Sequence, residues 1–251
     1  MKKVSIITAT YNAAKFLEPT IISISKVSYP CIEFILIDGG STDDTLKIAK
    51  KYKNIITKMI SEPDKGVYDA LNKGINLSTG DYLYFLGAGD VLHKEGIGKL
   101  VKAVEDTNCM SLVYGDCYFV QSKKIYNGEF NKWKLFNHNI CHQAIIYSRK
   151  IFEKHGLYDL SFKISADYIL NLKCFADKNI NKLYVKTIVA DYQEGGLSDL
   201  QADVDFVNRR LKTVKRYYPI YMYIPYKLYR MSISLLDLLH LKNILKKYVK
   251  F

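Results

Sequence analysis

Residues 32 to 52, IEFILIDGGSTDDTLKIAKKY, contain the unit from which the fold of this chain is predicted. An apolar run, IEFILID, leads into small and polar residues, and then into DDTLKIAKKY, which begins with acids and ends with lysines. The apolar run predicts a buried strand. The order of charges in the second part suits the dipole of a helix. The stretch therefore predicts a strand, a turn and a helix in succession.

The same alternation continues on both sides of this unit. Further strands are predicted at 3–9, 55–60 and 81–87, and further helices at 14–27 and 67–77. Strands that alternate with helices of this length predict βαβ units and a parallel sheet. Mostly continuous apolar runs are expected in strands whose two faces are both covered by helices.

The second half of the chain shows a less regular pattern. Strands are predicted in SLVYGDCYFVQ at 111–121 and QAIIYS at 143–148, and a strand pair is predicted at 182–192. Helices are predicted at about 149–155 and 166–177. A mixed sheet is therefore expected to follow the regular parallel half.

The bulk composition is that of a soluble protein with one sizeable core. The 251 residues are 49% hydrophobic and 25% charged. The five cysteines are scattered singly without a CxxC pair, so they are expected to be reduced. No run of about 18 apolar residues occurs, and the short apolar run at the N-terminus predicts a strand rather than a signal peptide.

The net charge of +12 is unevenly distributed. Residues 201–251 hold eleven Lys and Arg against three acids, a surplus of eight, which leaves +4 for the first 200 residues. A basic tail suggests partners that carry phosphate, either nucleic acid or an anionic membrane surface.

Small, polar and acidic residues follow four predicted strands in succession. The four stretches are TATYN at 8–12, DGGSTD at 38–43, EPDKG at 62–66 and GAGD at 87–90. In open α/β sheets, ligands bind at the carboxyl ends of the strands. The four stretches together therefore predict a ligand site at this edge of the sheet.

Four longer stretches carry a family resemblance and together cover about residues 3–175. They are VSIITATYNAAKFLEPTIISI, IEFILIDGGSTDDTLKIAKKY, EPDKGVYDALNKGINLSTGDYLYFLGAGD and CHQAIIYSRKIFEKHGLYDLSFKISADYIL. In these stretches the chain resembles the family 2 glycosyltransferases, which have a GT-A fold and transfer a sugar from a nucleotide donor. DGGSTDDT and DKGVYDALNKG are the most specific of the shared motifs.

The resemblance implies a fold class and a division into domains. An α/β domain of GT-A type is expected at 1–200, with a Rossmann-like, mostly parallel sheet and helices on both faces. Its nucleotide-binding half is expected at 1–110 and a mixed acceptor half at 111–200. A basic helical extension is expected at 201–251, because the chain from residue 203 onward shows a helical pattern that is broken at prolines 219 and 225.

The resemblance also implies which residues bind the donor. Asp38 is expected to accept a hydrogen bond from a pyrimidine base, while helix capping is better assigned to Ser41, Thr42 or Asp43. Tyr11 is expected either to lie flat on the base or to fill the core. Further donor contacts are expected from Thr8, Ala9, Asp64, Lys65 and Gly66.

The stretch at 87–90 is expected to hold Mg²⁺ or Mn²⁺. The family usually ends this strand in Asp-x-Asp, and here only the last carboxylate, Asp90, is present. A hard cation needs one or two protein carboxylates when phosphate oxygens and water complete its shell. Ala88 and Gly89 are expected to let the backbone approach the donor. A helix-capping role for Asp90 is the alternative.

A carboxylate base is expected at Asp167, which opens the predicted helix ADYILNLKCFA. In the family the base lies in the corresponding stretch. Asp159 is the competing candidate, although its sequence surroundings predict a turn. His142 lies in a stretch that faces the donor sugar or diphosphate in the family, but a structural role is an equal alternative for it.

The tail combines tyrosines, basic residues and leucines 235, 236, 238, 239 and 241, followed by KKYVK. Such a helix is expected either to lie on an anionic membrane or to pack on the enzyme or a second copy. The resemblance implies a nucleotide-sugar donor, which is expected to be a UDP-sugar. It also implies a glycan or polyprenyl-diphosphate-linked acceptor in surface polysaccharide synthesis, such as that of O-antigen or capsule. A cytoplasmic enzyme, peripheral on the inner face of the membrane, is therefore expected.

Three other functions are possible for a chain of this composition and fold class. A nucleotidyltransferase would be expected to show a glycine-rich basic loop after the first strand, and TATYNAAKF has none. A nucleic-acid-binding protein would not need carboxylates at its strand ends, since these repel phosphate without a metal. A non-catalytic nucleotide-sugar-binding relative would keep Asp38 but would need neither Asp90 nor Asp167.

Overall fold

The computed structural model describes residues 1–104, 109–126, 128–196 and 206–238. The chain divides into two compact units, Met1–Phe206 and Val207–Phe251. The domain boundary expected near residue 200 lies outside the described residues, as do leucines 239 and 241 and the KKYVK stretch of the tail.

A nine-stranded sheet forms the framework of the first unit in its described part. Its strands are β1 (Val4–Thr10), β2 (Ile32–Asp38), β3 (Lys58–Ser61), β4 (Tyr82–Phe85), β5 (Val91–Leu92), β6 (Ser111–Phe119), β7 (Lys124–Tyr126), β8 (Ile145–Ser148) and β9 (Asn181–Tyr192). The order across the sheet is β3-β2-β1-β4-β8-β6-β9-β5, and β7 pairs with β6.

Helices connect most of these strands. In the first unit they are α1 (Ala14–Ser25), α2 (Thr45–Lys51), α3 (Val67–Leu77), α4 (Gly96–Lys102), α5 (Lys132–Asn137), α6 (Arg149–His155) and α7 (Ala166–Ala176), with a short 3₁₀ helix at His142–Ala144. Two more helices follow, α8 (Phe206–Tyr217) and α9 (Ile220–Leu238). Both belong to the second unit, except that Phe206, the first residue of α8, is the last residue of the first unit.

The first four strands are parallel, as the alternating pattern predicts. In their register Thr10 lies beside Asp38, and Asp38 lies beside Ser61. The carboxyl ends of β1, β2 and β3 therefore meet at one edge. Because β4 runs parallel to β1 on its other side, the GAGD stretch leaves the sheet at the same edge.

Helices cover both faces of this parallel half. Ile6 belongs to a buried cluster with Leu17 and Ile21 of α1. Ile7 points the other way, because side chains alternate along a strand, and it packs so closely on Gly74 of α3 that a methyl group at Gly74 would collide with it. The predicted layering around a parallel sheet is confirmed.

The mixed half differs from the prediction at residues 182–192. Residues 182–192 were expected to form a strand pair, and the prediction is wrong, because Asn181–Tyr192 is a single strand. It runs parallel to β6 with register shifts around Asp116. A Cβ at Gly115 would lie 2.6 Å from Thr187 O, so the missing side chain lets the irregular part of β9 approach β6.

Two further local predictions are corrected. The strand-like SFKI at 161–164 is not a strand, and Asp159 Oδ1 accepts a hydrogen bond from Ser161 N at 2.9 Å in a turn there. Pro219 separates α8 from α9, as predicted, but Pro225 lies inside α9. A proline inside a helix removes one backbone hydrogen bond without necessarily ending the helix.

A buried carboxylate joins the first strands at their opposite ends. Glu33 of β2 is 3% exposed and accepts hydrogen bonds from Ser5 Oγ at 2.5 Å, Thr79 N at 2.5 Å and Gly80 N at 3.1 Å. Lys3 Nζ lies 3.1 Å from Glu33 Oε2. Burial raises the pKa of Glu33, but these donors outweigh burial and lower it to about 2.

Replacing Glu33 by Gln is expected to destabilise the fold by about 3 kcal/mol at pH 7, because the shift from 4.5 to about 2 corresponds to that energy. A depressed carboxyl pKa stabilises the native state above the unfolded pKa. The stabilisation is lost as the pH falls from about 5 toward 2. Urea unfolding at several pH values should therefore show the largest difference between wild type and Glu33→Gln at pH 7.

Glu95→Gln is the matched control, since Glu95 is exposed and forms a surface ion pair with Lys99, four residues on. It should change stability little at any pH. A difference between wild type and Glu33→Gln that stays constant from pH 7 to pH 3 would contradict the role given to Glu33.

Candidate active site

A cavity of about 790 Å³ lies at the carboxyl edge of the parallel strands. It is bounded by the residues after β1, the turn after β4, the first turns of α3 and α7, and the end of β9. Of the residues predicted from the sequence it is lined by Ala9, Tyr11, Ala88, Asp90, His142 and Asp167. The structure thus brings the two predicted key carboxylates, Asp90 and Asp167, to one cavity.

The two glycines of the GAGD turn are required for different physical reasons. Gly89 has φ +111°, a backbone conformation that side-chain-bearing residues rarely adopt. A Cβ at Gly87 would lie 2.6 Å from Asp90 Oδ2. The turn closes with a hydrogen bond from Asp90 N to Gly87 O at 3.1 Å. The two glycines therefore allow the chain to fold back and bury the Asp90 carboxylate, which is 4% exposed.

Both oxygens of Asp90 are held by residues distant in sequence. Gln143 Nε2 donates to Oδ2 at 2.8 Å, and Gln193 N donates to Oδ1 at 2.8 Å. Thr20 of α1 fixes the backbone, since its hydroxyl donates to Asp90 O at 2.8 Å and accepts from Gly89 N at 2.9 Å. A helix-capping role for Asp90 finds no support in these contacts.

The Asp90 environment fits a hard divalent cation. Asp90 lines the cavity, and carboxylate oxygens are among the ligands that such cations prefer. Among the residues described, no group of three or more His, Cys, Asp or Glu is placed to hold a metal. A single carboxylate is nevertheless a sufficient protein ligand where phosphate oxygens and water supply the rest.

Asp167 is placed in the first turn of α7 and is 6% exposed. Tyr68 Oη donates to Oδ1 at 2.6 Å, and Asn139 Nδ2 donates to Oδ2 at 2.6 Å. Asn139 is fixed in turn by Asn171 Nδ2, which donates to Asn139 Oδ1 at 2.9 Å. Burial and the adjacent carboxylate hold the pKa of Tyr68 well above its usual range, so the phenol remains a donor to Asp167.

His142 lies at the floor of the cavity among aromatic rings. It stacks on Phe85 with ring centroids 4.8 Å apart, and its Nε2 lies 2.9 Å from Tyr158 Oη. Burial lowers the pKa of His142 despite the attraction of Asp167, so the imidazole is neutral at pH 7. His142 therefore packs in the aromatic core and also lines the cavity, where a ligand could contact it.

Asp38 and Thr8 lie behind the cavity lining. Asp38 is fully buried, and its Oδ2 accepts from Ser61 Oγ at 2.6 Å and from Ser41 N at 3.0 Å. In this arrangement it fixes the loop after β2, and its role in base binding stays a prediction. Thr8 is also fully buried. Thr10, two residues further along β1, lines the cavity instead.

Tyr11 is 63% exposed and lines the cavity, so the core-filling role considered for it is wrong.

The PDKG turn lies at the start of α3. Asp64 Oδ1 accepts from Gly66 N at 2.8 Å, and Lys65 N donates to Asp69 Oδ2 at 3.0 Å. A methyl group at Gly39 would collide with the Asp64 carboxylate, so this turn packs on the loop after β2.

Sequence reasoning missed the donors that hold the two carboxylates, which are three side chains and the backbone N–H of Gln193. They are Tyr68, Asn139, Gln143 and Gln193. Gln143 and Tyr68 lie in motifs that carry the family resemblance, but nothing local indicates their partners. The partner of each lies 28 to 103 residues away, a separation at which pattern gives no signal.

A Gly87→Ala substitution is expected to displace the Asp90 carboxylate, because the new methyl group would lie 2.6 Å from Oδ2. Weakening of its hydrogen bonds to Gln143 and Gln193 should lower the free energy of unfolding by about 1–3 kcal/mol in chemical denaturation. Gly98→Ala in α4 is the control, since its methyl group would meet nothing closer than Tyr29 Cβ at 4.0 Å. An equal loss in both variants would refute this account of Gly87.

Comparison with known proteins agrees with the resemblance seen in the sequence. The family model described as "Glycosyl transferase family 2" matches residues 5–156. A relative from Mycobacterium tuberculosis H37Rv named "PGL/p-HBAD biosynthesis glycosyltransferase" is 38% identical over 211 residues, which cover 82% of each chain.

Two solved structures share the fold. S. aureus TarS residues 1–349, in complex with UDP-GlcNAc, superimposes with a TM-score of 0.70 at 17% identity, covering 84% of this chain and 65% of that one. The mannosyltransferase PcManGT from Pyrobaculum calidifontis, in complex with GDP-Man and Mn²⁺, gives a TM-score of 0.62 at 14% identity, covering 94% of this chain and 81% of that one.

Proposed function

The chain belongs to glycosyl transferase family 2, and we propose that it moves a sugar from a UDP-sugar to a hydroxyl of a glycan or lipid-linked acceptor. The observation that carries the proposal is the pair of buried carboxylates on one cavity, Asp90 and Asp167, each held by a different set of donors. Asp90 is suited to binding a cation at the diphosphate of the donor, and Asp167 is suited to taking the proton from the acceptor hydroxyl. The relative from M. tuberculosis and TarS with UDP-GlcNAc support the substrate class.

The donor is proposed to lie across the carboxyl edge of the parallel strands. Tyr11, exposed at the cavity, would stack on the base, with backbone contacts from Thr8 and Ala9. Asp38 would pair with the base after the loop above it adjusts, since its oxygens now bond that loop. The Asp64–Gly66 turn, which lies at the start of α3, would close over the donor.

The diphosphate is proposed to lie against the GAGD turn. Asp90 would hold Mg²⁺ or Mn²⁺ there, and the cation, when bound, supplies Lewis-acid neutralisation of the leaving diphosphate. Gly89 and Ala88 leave the backbone open beside it, while Gln143 and Gln193 fix the carboxylate in one orientation. The Mn²⁺ complex of PcManGT supports this choice of cofactor.

The chemical step is proposed as a single displacement with inversion. The acceptor oxygen forms a bond to the anomeric carbon as the bond from that carbon to the phosphate oxygen breaks. The electron pair of the broken bond leaves with UDP. The acceptor proton passes to Asp167, which Tyr68 and Asn139 hold toward the cavity. His142, neutral at pH 7, would contact the sugar without adding charge.

Asp167→Asn is expected to lower transfer by about 10²–10⁴-fold, the usual contribution of a general base, while donor binding persists. Asp90→Asn is expected to abolish the effect of Mn²⁺ on both donor affinity and turnover. The measurements are UDP release and the thermal shift caused by a panel of UDP-, GDP- and dTDP-sugars, with and without Mn²⁺.

Asp159→Asn serves as the control, because Asp159 lies in a turn outside the cavity lining and should leave both readouts unchanged. Donor binding that persists in every variant without turnover would instead support the non-catalytic relative. Release of pyrophosphate rather than UDP would support a nucleotidyltransferase. The absence of any shift with all donors would refute the proposed function.

We further propose that the enzyme works at an anionic membrane surface in the synthesis of a cell-surface polysaccharide. The helix α9 exposes apolar and aromatic side chains at spacings of three and four residues: Tyr221, Ile224, Leu228, Met231 and Leu235. The surrounding sequence has a surplus of eight positive charges. Such a helix suits the interface of an anionic bilayer. None of the helices in the described ranges is long and apolar enough to span a membrane.

Co-sedimentation with vesicles tests this location. Binding to phosphatidylglycerol-containing vesicles should exceed binding to phosphatidylcholine alone and should fall with salt, since each basic residue near the surface contributes about 1 kcal/mol. Leu228→Glu should weaken it, whereas Leu160→Glu, a similarly exposed leucine in the first unit, should not. Equal binding of both variants, or a concentration-dependent dimer without vesicle binding, would contradict the proposal.

A further inference from the structure

Three aromatic side chains form a continuous surface within the cavity lining. Phe119 ends β6, Tyr126 ends β7 and Tyr192 ends β9, and all three are half-buried. Phe119 and Tyr126 stack with ring centroids 5.0 Å apart and an interplanar angle of 21°, and the Phe119 and Tyr192 centroids are 4.9 Å apart. We call Phe119, Tyr126 and Tyr192 the aromatic shelf.

The shelf is connected to the proposed base by two hydrogen bonds in series. Tyr126 Oη donates to Asn139 O at 2.8 Å, and Asn139 Nδ2 donates to Asp167 Oδ2 at 2.6 Å. The other end of the shelf adjoins the metal side, because Tyr192 precedes Gln193, whose N–H holds Asp90. A group that rests on the shelf is therefore close to the carboxylate expected to accept its proton.

The charges around the cavity restrict what that group can be. Its described lining contains the carboxylates Asp90 and Asp167, the neutral His142, and no Lys or Arg. A phosphate placed here would find no Lys or Arg among the described lining residues to offset the repulsion, since the proposed metal is taken by the donor diphosphate.

We infer that the aromatic shelf is the acceptor subsite and that it takes an uncharged sugar ring, bound by its apolar C–H face. A pyranose ring offers such a face, and aromatic rings are the side chains that present a large flat apolar surface at low conformational cost. The acceptor's phosphate groups, where it has them, lie outside the cavity. The inference rests on the proposed function and specifies its acceptor.

Saturation-transfer NMR on the full chain with UDP and Mg²⁺ tests the chemistry of the subsite. The probes are the methyl glycosides of glucose, galactose and mannose, compared with ribitol 5-phosphate. At least one glycoside should receive saturation at its ring C–H protons. Tighter binding of ribitol 5-phosphate than of every glycoside would overturn the inference.

Phe119→Leu removes the central ring and keeps an apolar side chain. With the best glycoside it should raise the acceptor KM about tenfold, the fold-change that corresponds to one lost aromatic contact. The affinity for the UDP-sugar should change by less than about twofold, because the donor is proposed to stack on Tyr11 instead. Ile125→Ala is the control, since Ile125 is exposed on the same strand as Tyr126 and lies outside the lining.

Tyr126→Phe keeps the ring and removes the hydrogen bond to Asn139. It should lower kcat and leave the acceptor KM unchanged, which a general loss of stability would not do. An unchanged acceptor KM in Phe119→Leu, or an equal loss of donor affinity, overturns the acceptor subsite while donor binding still supports the proposed function. Failure to bind any nucleotide sugar overturns both.

Discussion

A carboxylate that leaves water must be hydrogen-bonded, and this requirement organises the whole first unit. Glu33 is satisfied by donors from β1 and from the residues before β4, Asp38 by the loops after β2 and β3, and Asp90 by side chain and backbone groups from the second half of the sheet. Each buried charge is thus a junction between segments distant in sequence. Removing one partner would leave an uncompensated charge, which costs far more than the net value of the bond.

The same requirement explains why the two carboxylates of the cavity have different hydrogen-bond donors. Asp90 is held by a side-chain amide and a backbone N–H, whereas Asp167 is held by a phenol whose own pKa is raised and by an amide. These donors fix the orientation of both carboxylates, one for the proposed cation and the other for the proposed proton transfer.

The parallel half of the fold could be predicted from the sequence because its signals are local. Apolar runs, the order of charges along helices and the small residues after strands place β1 to β4 and bring GAGD to the correct edge. Ala9, Tyr11, Asp90 and Asp167, which line the cavity, could be proposed from the sequence because they lie at strand and helix ends. Thr10 was missed beside Thr8 because both lie on the same face of β1, and only the position of the strand end decides that Thr10, its last residue, lines the cavity. The single strand β9 was missed because its bulge depends on Gly115 of a different strand.

The hydrogen bonds that hold the two carboxylates also have a consequence for folding kinetics. Gln193 N lies 103 residues from Asp90, and Tyr68 lies 99 residues from Asp167. Contacts of such separation form late, because the chain must first lose the entropy of closing a long loop. Residues 1–110 can align their parallel strands with local connections, whereas Gln143 and Gln193, which donate to the Asp90 side chain, lie further along the chain. During synthesis and refolding, secondary structure should therefore precede a competent cavity, and a nascent chain that ends before β9 would carry the motifs of the family without its assembled site.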